Sequence, residues 1–166
     1  IHRGRGRDGA LRQAGRAMSG KSATRRDPRS GARSVARKLA LQALYRLQLN
    51  DGPWQDLVND FRAEEDMARA EEEFFIALVR EIATHRAALD ERLAAYTDRK
   101  PVELDPVEHA VLLIGLQELL QHPEVPWRVV LNESVSLTKR FGATDAHKFV
   151  NAVLDRAARE LRPQEH

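Results

Sequence analysis

Two groups of side chains in this chain have the types and spacing to hold a single-stranded polyanion. The first is Arg33, Arg37, Lys38 and Tyr45. Arg33 and Arg37 lie one helical turn apart and share a face. Lys38 and Tyr45 lie two turns apart, within about 20° of each other around a helix axis. Guanidinium groups grip phosphate through paired N–H donors, and an aromatic ring is a platform for an unstacked base. The second group is Asp145, His147, Lys148, Phe149 and Asn151, at the start of the last predicted helix. Free N–H groups and the positive dipole end favour an anion there. Lys148 adds charge, Phe149 offers a ring, and Asp145 and Asn151 offer hydrogen bonds to base edges. Each group also has a plain structural reading. Tyr45 and Phe149 suit a core, Asn151 can bond backbone, and basic residues on a helix are ordinarily solvated. Tyr96 shares that ambiguity, and its place in the apolar pattern favours the core.

Other chemistries find no support. The sequence has neither a Walker-type loop nor GxGxxG. It has no cysteine, which excludes disulfides and thiolate metal sites. His85 has no second histidine at ligand spacing. Ser134, Asp145 and His147 come without a nucleophile elbow. A non-enzymatic chain without metal or cofactor is expected. No apolar run approaches the ~18–20 residues that span a bilayer, so a cytoplasmic protein is the simplest reading. Charge is strongly segregated. Residues 1–38 hold 12 Lys/Arg against Asp8 and Asp27, a net of +10, whereas the rest holds 15 basic against 23 acidic residues, a net of −8. A basic arm on an acidic body fits a polyanionic partner, or simply a solvated tail.

The elements that must position these groups are all helical. Residues 1–31 are rich in Gly, Ser and Arg, have little to bury and are expected to be a disordered arm. Met18 is the expected true start. From residue 32 to 50, Ala36, Leu39, Ala40, Ala43, Leu44 and Leu47 form one stripe, with Ser34 as the expected N-cap. A short helix follows Pro53, with Trp54, Leu57, Val58 and Phe61 inward. The stretch 67–100 carries Phe75, Leu78, Ile82, Leu89, Leu93 and Tyr96 on one stripe, and its length predicts a break near Thr84-His85. Asp105-Pro106, with Glu108 three beyond the cap, opens a helix that is apolar almost all round and therefore central. Residues 127–154 read as two amphipathic helices about a turn, with Gly142 as a left-handed C-cap and Thr144 or Asp145 capping the last helix. Asn132 and Glu133 interrupt the first of these, and a structural bond to a neighbouring helix end is expected. The end, RPQEH, is expected to fray, leaving 163–166 as a tail.

These residues also carry a family resemblance. N-E-S-V-S-L-T-K, then F-G, then H-K-F-V-N-A-V-L-D resembles the C-terminal signature of the NusB transcription antitermination family. R-x-x-x-R…A-L-Y resembles that family's first helix, and E-H-A-V-L-L-I-G-L-Q-E-L its central one. The likeness covers about residues 33–162. Ser34 and Leu113 stand where basic residues are common in the family, and Ala152 where Gly is. The resemblance implies an all-α NusB-like bundle of about seven helices in two small packed subdomains, about 32–98 and 101–162. It implies a factor that binds the boxA element of nascent rRNA leader transcripts together with the ribosomal protein NusE, and acts on RNA polymerase to suppress termination. Arg33, Arg37, Lys38, Tyr45, Tyr96, Asp145, Lys148, Phe149 and Asn151 would meet single-stranded RNA, and Glu108, Leu113 and Glu118 would face the protein partner. One alternative is a detached RNA-targeting domain of an RNA cytosine methyltransferase, disfavoured if the chain ends at His166 with no methyl-donor domain following. The other is a purely protein-binding helical adaptor.

Overall fold

In the computed structural model, residues 28–166 are described. The expected disorder of residues 1–27 and the expected start at Met18 lie outside the described residues. Among the described residues there are seven α-helices and no strand: α1 Pro28–Leu49, α2 Trp54–Arg62, α3 Glu72–Thr84, α4 Arg86–Ala94, α5 Pro106–Gln121, α6 Trp127–Phe141 and α7 Ala146–Leu161. Internal contacts divide the chain into two units, one ending at Arg80 and one beginning at Glu81.

In the first unit, α1 buries Ala36, Leu39, Ala40, Ala43 and Leu44, the expected stripe. It begins at Pro28, so residues 28–31 are helix and not arm. Ser34 is therefore inside the helix rather than its cap, and its hydroxyl donates to the Ser30 carbonyl one turn back, at 3.1 Å. Pro53 precedes α2, which buries Val58 and Phe61 and leaves Trp54 and Leu57 half-buried. The Phe61 ring meets that of Phe75 with centroids 5.9 Å apart. Residues Glu65–Arg69 form a 3-10 turn with Met67 buried, so the long helical stretch starts only at Glu72. α3 stops at Thr84 and α4 restarts at Arg86, with exposed His85 at the expected break.

In the second unit, the Asp105 carboxylate accepts the Val107 N–H at 2.9 Å and Pro106 occupies the first helical position, as the sequence predicts. Every residue of α5 from Val107 to Leu119 is buried. α6 and α7 pack against α5 and against each other, and α4 also packs on α5. That last contact explains why the division falls inside α3 and not near residues 98–101. Asp90 of α4 reaches the buried His109 ring of α5, which joins α4 to the second unit. Gly142 ends α6 with φ −92° and ψ 179°, an extended and not a left-handed conformation. Its reason for being glycine is closeness: a Cβ there would sit 2.8 Å from the Thr138 carbonyl oxygen.

The C-terminus is a structural element and not a frayed tail. Arg162 is buried, and its guanidinium donates to the carbonyls of Leu119 (2.8 Å), His122 (2.9 Å), Val125 (3.0 Å) and Glu118 (3.2 Å). The Glu118 and Leu119 oxygens belong to the last turn of α5 and those of His122 and Val125 to the segment that follows, where the helix dipole is negative. Residues Pro163–Glu165 make a 3-10 turn. The Glu165 carboxylate accepts the Trp127 N–H at 3.1 Å, and the His166 ring stacks on the Trp127 ring at 4.2 Å.

Candidate nucleic-acid interface

The cations of α1 are held by neighbouring acids and a ring of their own unit. Arg33 Nε donates to Glu71 at 2.9 Å, and its guanidinium lies 4.4 Å from the Phe74 ring centroid. Arg37 lies over the same ring at 5.2 Å and is only 2% exposed. Lys38 is 4% exposed and donates to Asp66 at 2.6 Å. Burial pushes the Asp66 carboxyl up. The hydrogen bonds and charges of Lys38 and Arg69 outweigh it and hold the group below its ordinary value. Tyr45 is buried, in keeping with its apolar position on the helix. None of Arg37, Lys38 and Tyr45 lies open on the surface.

The start of α7 presents the opposite picture. Asp145 takes a left-handed conformation, φ 64°, which short polar side chains tolerate best after glycine. Its side chain does not cap the helix; its backbone carbonyl accepts the Lys148 N–H at 3.1 Å. Its carboxylate lies 3.5 Å from the Lys148 ammonium, with the lysine side chain 72% exposed. Such a pair is solvent-screened and exchanges readily for another anion. His147 and Phe149 are half-buried, while Asn151 is exposed. Phe149 and Asn151 do not share a face. Residues two apart on an α-helix are about 200° apart in rotation, so the ring and the amide bound opposite edges of the exposed arc, with Lys148 between them. A single nucleotide cannot touch both.

Each edge has a neighbour from elsewhere in the second unit. On the amide side, Asn151 and Asp155 of α7 and Trp127, Arg128, Leu131 and Asn132 of α6 line a groove of about 290 Å³. Asn132 is exposed in that groove, so the expected bond to a helix end is not its role. On the ring side stands the segment following α4. Its Arg99 guanidinium lies 4.0 Å from the Phe149 ring centroid, and Arg156 of α7 donates to the Tyr96 carbonyl at 3.1 Å. Tyr96 itself is core, as its pattern favours. Burial, then its hydrogen bond and proximity to Glu160, pushes its phenol up to about 12.

The three residues expected to face a protein partner are inside. Glu108, Leu113 and Glu118 are all buried, Glu118 at 1% exposure, because α5 is enclosed on every side. Sequence reading also passed over Arg99 and Lys100, both exposed basic residues beside the α7 surface. The signal for them was an R-K pair in a loop, and nothing local ties it to a helix some fifty residues later.

Comparison with known proteins bears on the family and the fold. Residues 34–159 match the NusB family. The chain is 43% identical over 132 residues to the transcription antitermination protein NusB of Idiomarina loihiensis, covering 80% of this chain and 95% of that protein. It is 44% identical over 133 residues to that of Hydrogenovibrio crunogenus, covering 80% and 83%. The fold is similar to the solved structure of T. maritima NusB, with a TM-score of 0.70 at 24% identity over 80% of this chain and 94% of that one. The family match over most of the chain, the identity to these relatives and the shared helical fold agree, and the chain belongs to the NusB family of transcription antitermination proteins, which are factors and not enzymes.

Proposed function

We propose that this chain is a cytoplasmic antitermination factor that binds the boxA element of nascent rRNA leader RNA together with the ribosomal protein NusE, and so supports rRNA transcription. The observation that carries the reading is the exposed start of α7. A screened lysine, a half-buried ring and a free carboxamide face solvent there, between a groove on one side and a basic loop on the other. That combination suits single-stranded RNA, whose phosphates meet cations and whose splayed bases meet rings and amides. On this reading Lys148 takes a phosphate, Phe149 lies beneath a base, and Asn151 bonds the edge of a different base in the groove. Arg33 and Lys38 join only by exchanging Glu71 and Asp66 for phosphate oxygens, and Arg37 only by leaving its buried place over the Phe74 ring. The basic partner docks on acidic surface other than Glu108 and Glu118.

The test is fluorescence anisotropy of a short boxA RNA across a salt series, with and without NusE. Binding that tightens with NusE, falls with salt and weakens in Lys148→Ala is the expected result. Capture of NusE with no RNA binding in either condition overturns the RNA reading and leaves the helical adaptor in its place.

A further inference from the structure

We propose that Arg99 is an RNA-contacting residue, and that its guanidinium, already laid on the Phe149 ring, is the outer surface on which a nucleobase stacks. The inference rests on the RNA reading above and adds a site to it. A guanidinium is planar and has two faces. The Arg99 guanidinium carbon lies over the Phe149 ring, 4.0 Å from its centroid. Arg99 is exposed, so the group is open to solvent, and among the described residues no carboxylate lies within ion-pair distance of it. The segment that carries it is anchored at Tyr96 and braced by a local turn. The Arg99 N–H donates to the Thr97 hydroxyl at 3.1 Å, and Arg156 donates to the Tyr96 carbonyl at 3.1 Å. Tyr96 is buried beneath.

The chemistry that such a site recognises follows from these features. A long side chain ordinarily loses rotamer freedom on binding, and here the ring has already selected the rotamer. The open face is flat and positively charged. A base stacks on it through dispersion and cation–π attraction, while the outward N–H groups remain available to the adjoining phosphate. A compact anion such as free phosphate would use the charge but not the plane. Exposed Lys100 and Lys148 supply further positive charge along the strand.

The experiment uses the full chain and a short single-stranded boxA RNA that carries one fluorescent purine analogue at successive positions. In the unmodified protein one position is quenched by stacking. Arg99→Ala abolishes that quenching and weakens binding about 10-fold. Arg99→Lys keeps the charge, hence the salt slope, and loses the quenching. Lys148→Ala lowers the slope of log K against log salt by about 0.7 and leaves the quenching intact. Thermal midpoints of all three match the parent, since both positions are exposed. Unchanged affinity and quenching in Arg99→Ala, with Lys148→Ala still weakened, overturns the platform and spares the RNA reading. Full quenching in Arg99→Lys also overturns it, by showing that only charge is used. No RNA binding by the parent protein overturns both readings together.

Discussion

At the scale of single residues, the most consequential side chain in the second unit is Arg162. Its guanidinium donates to four backbone carbonyls at and just beyond the C-terminal end of α5 and to the Glu165 carboxylate, and it is 3% exposed. Alanine there removes all five of these hydrogen bonds at once. We expect Arg162→Ala to lower unfolding stability by about 3 kcal/mol, read from urea midpoints. Arg162→Lys should recover only part, because an ammonium cannot reproduce the planar fork. Its neighbour Glu165 gives a pH signature. The Arg162 hydrogen bond, then the Trp127 N–H, holds the Glu165 carboxyl below its ordinary value of 4.5. A carboxyl lowered on folding stabilises above the unfolded pKa, and that contribution disappears as pH falls through the folded one. Stability should therefore decline below pH 4.5, and Glu165→Gln should flatten that part of the acid limb. An unaltered acid limb in the variant would show that the contact does not persist in solution.

At the scale of elements, α5, α6 and α7 meet at Gly115. A Cβ placed there would lie 2.7 Å from a Leu154 methyl and 3.1 Å from the Ser134 hydroxyl, and both of those residues are buried. Alanine is the better helix former by about 1 kcal/mol, but overpacking a filled site costs about 1–3 kcal/mol. Leu154 is fully buried, so its methyls must shift within the packed core to make room. Gly115→Ala should thus lower stability by about 1 kcal/mol, whereas the helix-propensity term alone predicts a gain; a rise in melting temperature would refute the packing argument. The contrast also shows which features of the elements were legible. The Asp105-Pro106 start, the all-round burial of α5 and the break at His85 each depend on neighbours in sequence, and each stands in the structure as read. The start of α1 at Pro28, the extended Gly142 and the ordered C-terminus do not. Composition made residues 28–31 look like arm, and nothing local announces that Arg162 meets carbonyls some forty residues earlier. The site follows the same division. Residue types at the start of α7 were readable, but the partition of Phe149 and Asn151 to opposite edges needs helix geometry, and Arg99 needs the tertiary contact.

At the scale of the whole molecule, the charge distribution sets how RNA binding depends on salt and on sequence. Residues 1–27 carry eight Lys/Arg against Asp8 and Asp27, so removing them takes six positive charges and leaves residues 28–166 at a net −4. If the arm acts only through charge, it attracts every RNA alike, since phosphates carry no sequence information. Deletion of residues 1–27 should then weaken boxA RNA and a scrambled RNA of the same length by similar factors. The slope of log K against log salt should become shallower, by roughly 0.7 for each phosphate on a single strand that the shortened protein no longer neutralises. The ratio of the two affinities should stay within about twofold, because the groups placed to meet bases, Arg99, Phe149 and Asn151, lie on the retained second unit. The Asn151→Ala variant provides the converse, an unchanged slope with a loss of discrimination between the two RNAs, because the amide bonds a base edge and carries no charge. Should deletion of the arm collapse the ratio instead, sequence readout would belong to the arm, and the α7 surface would be reduced to holding phosphate. Measuring both RNAs with both proteins at two or more salt concentrations separates these cases, since charge alone moves the slope and base recognition alone moves the ratio.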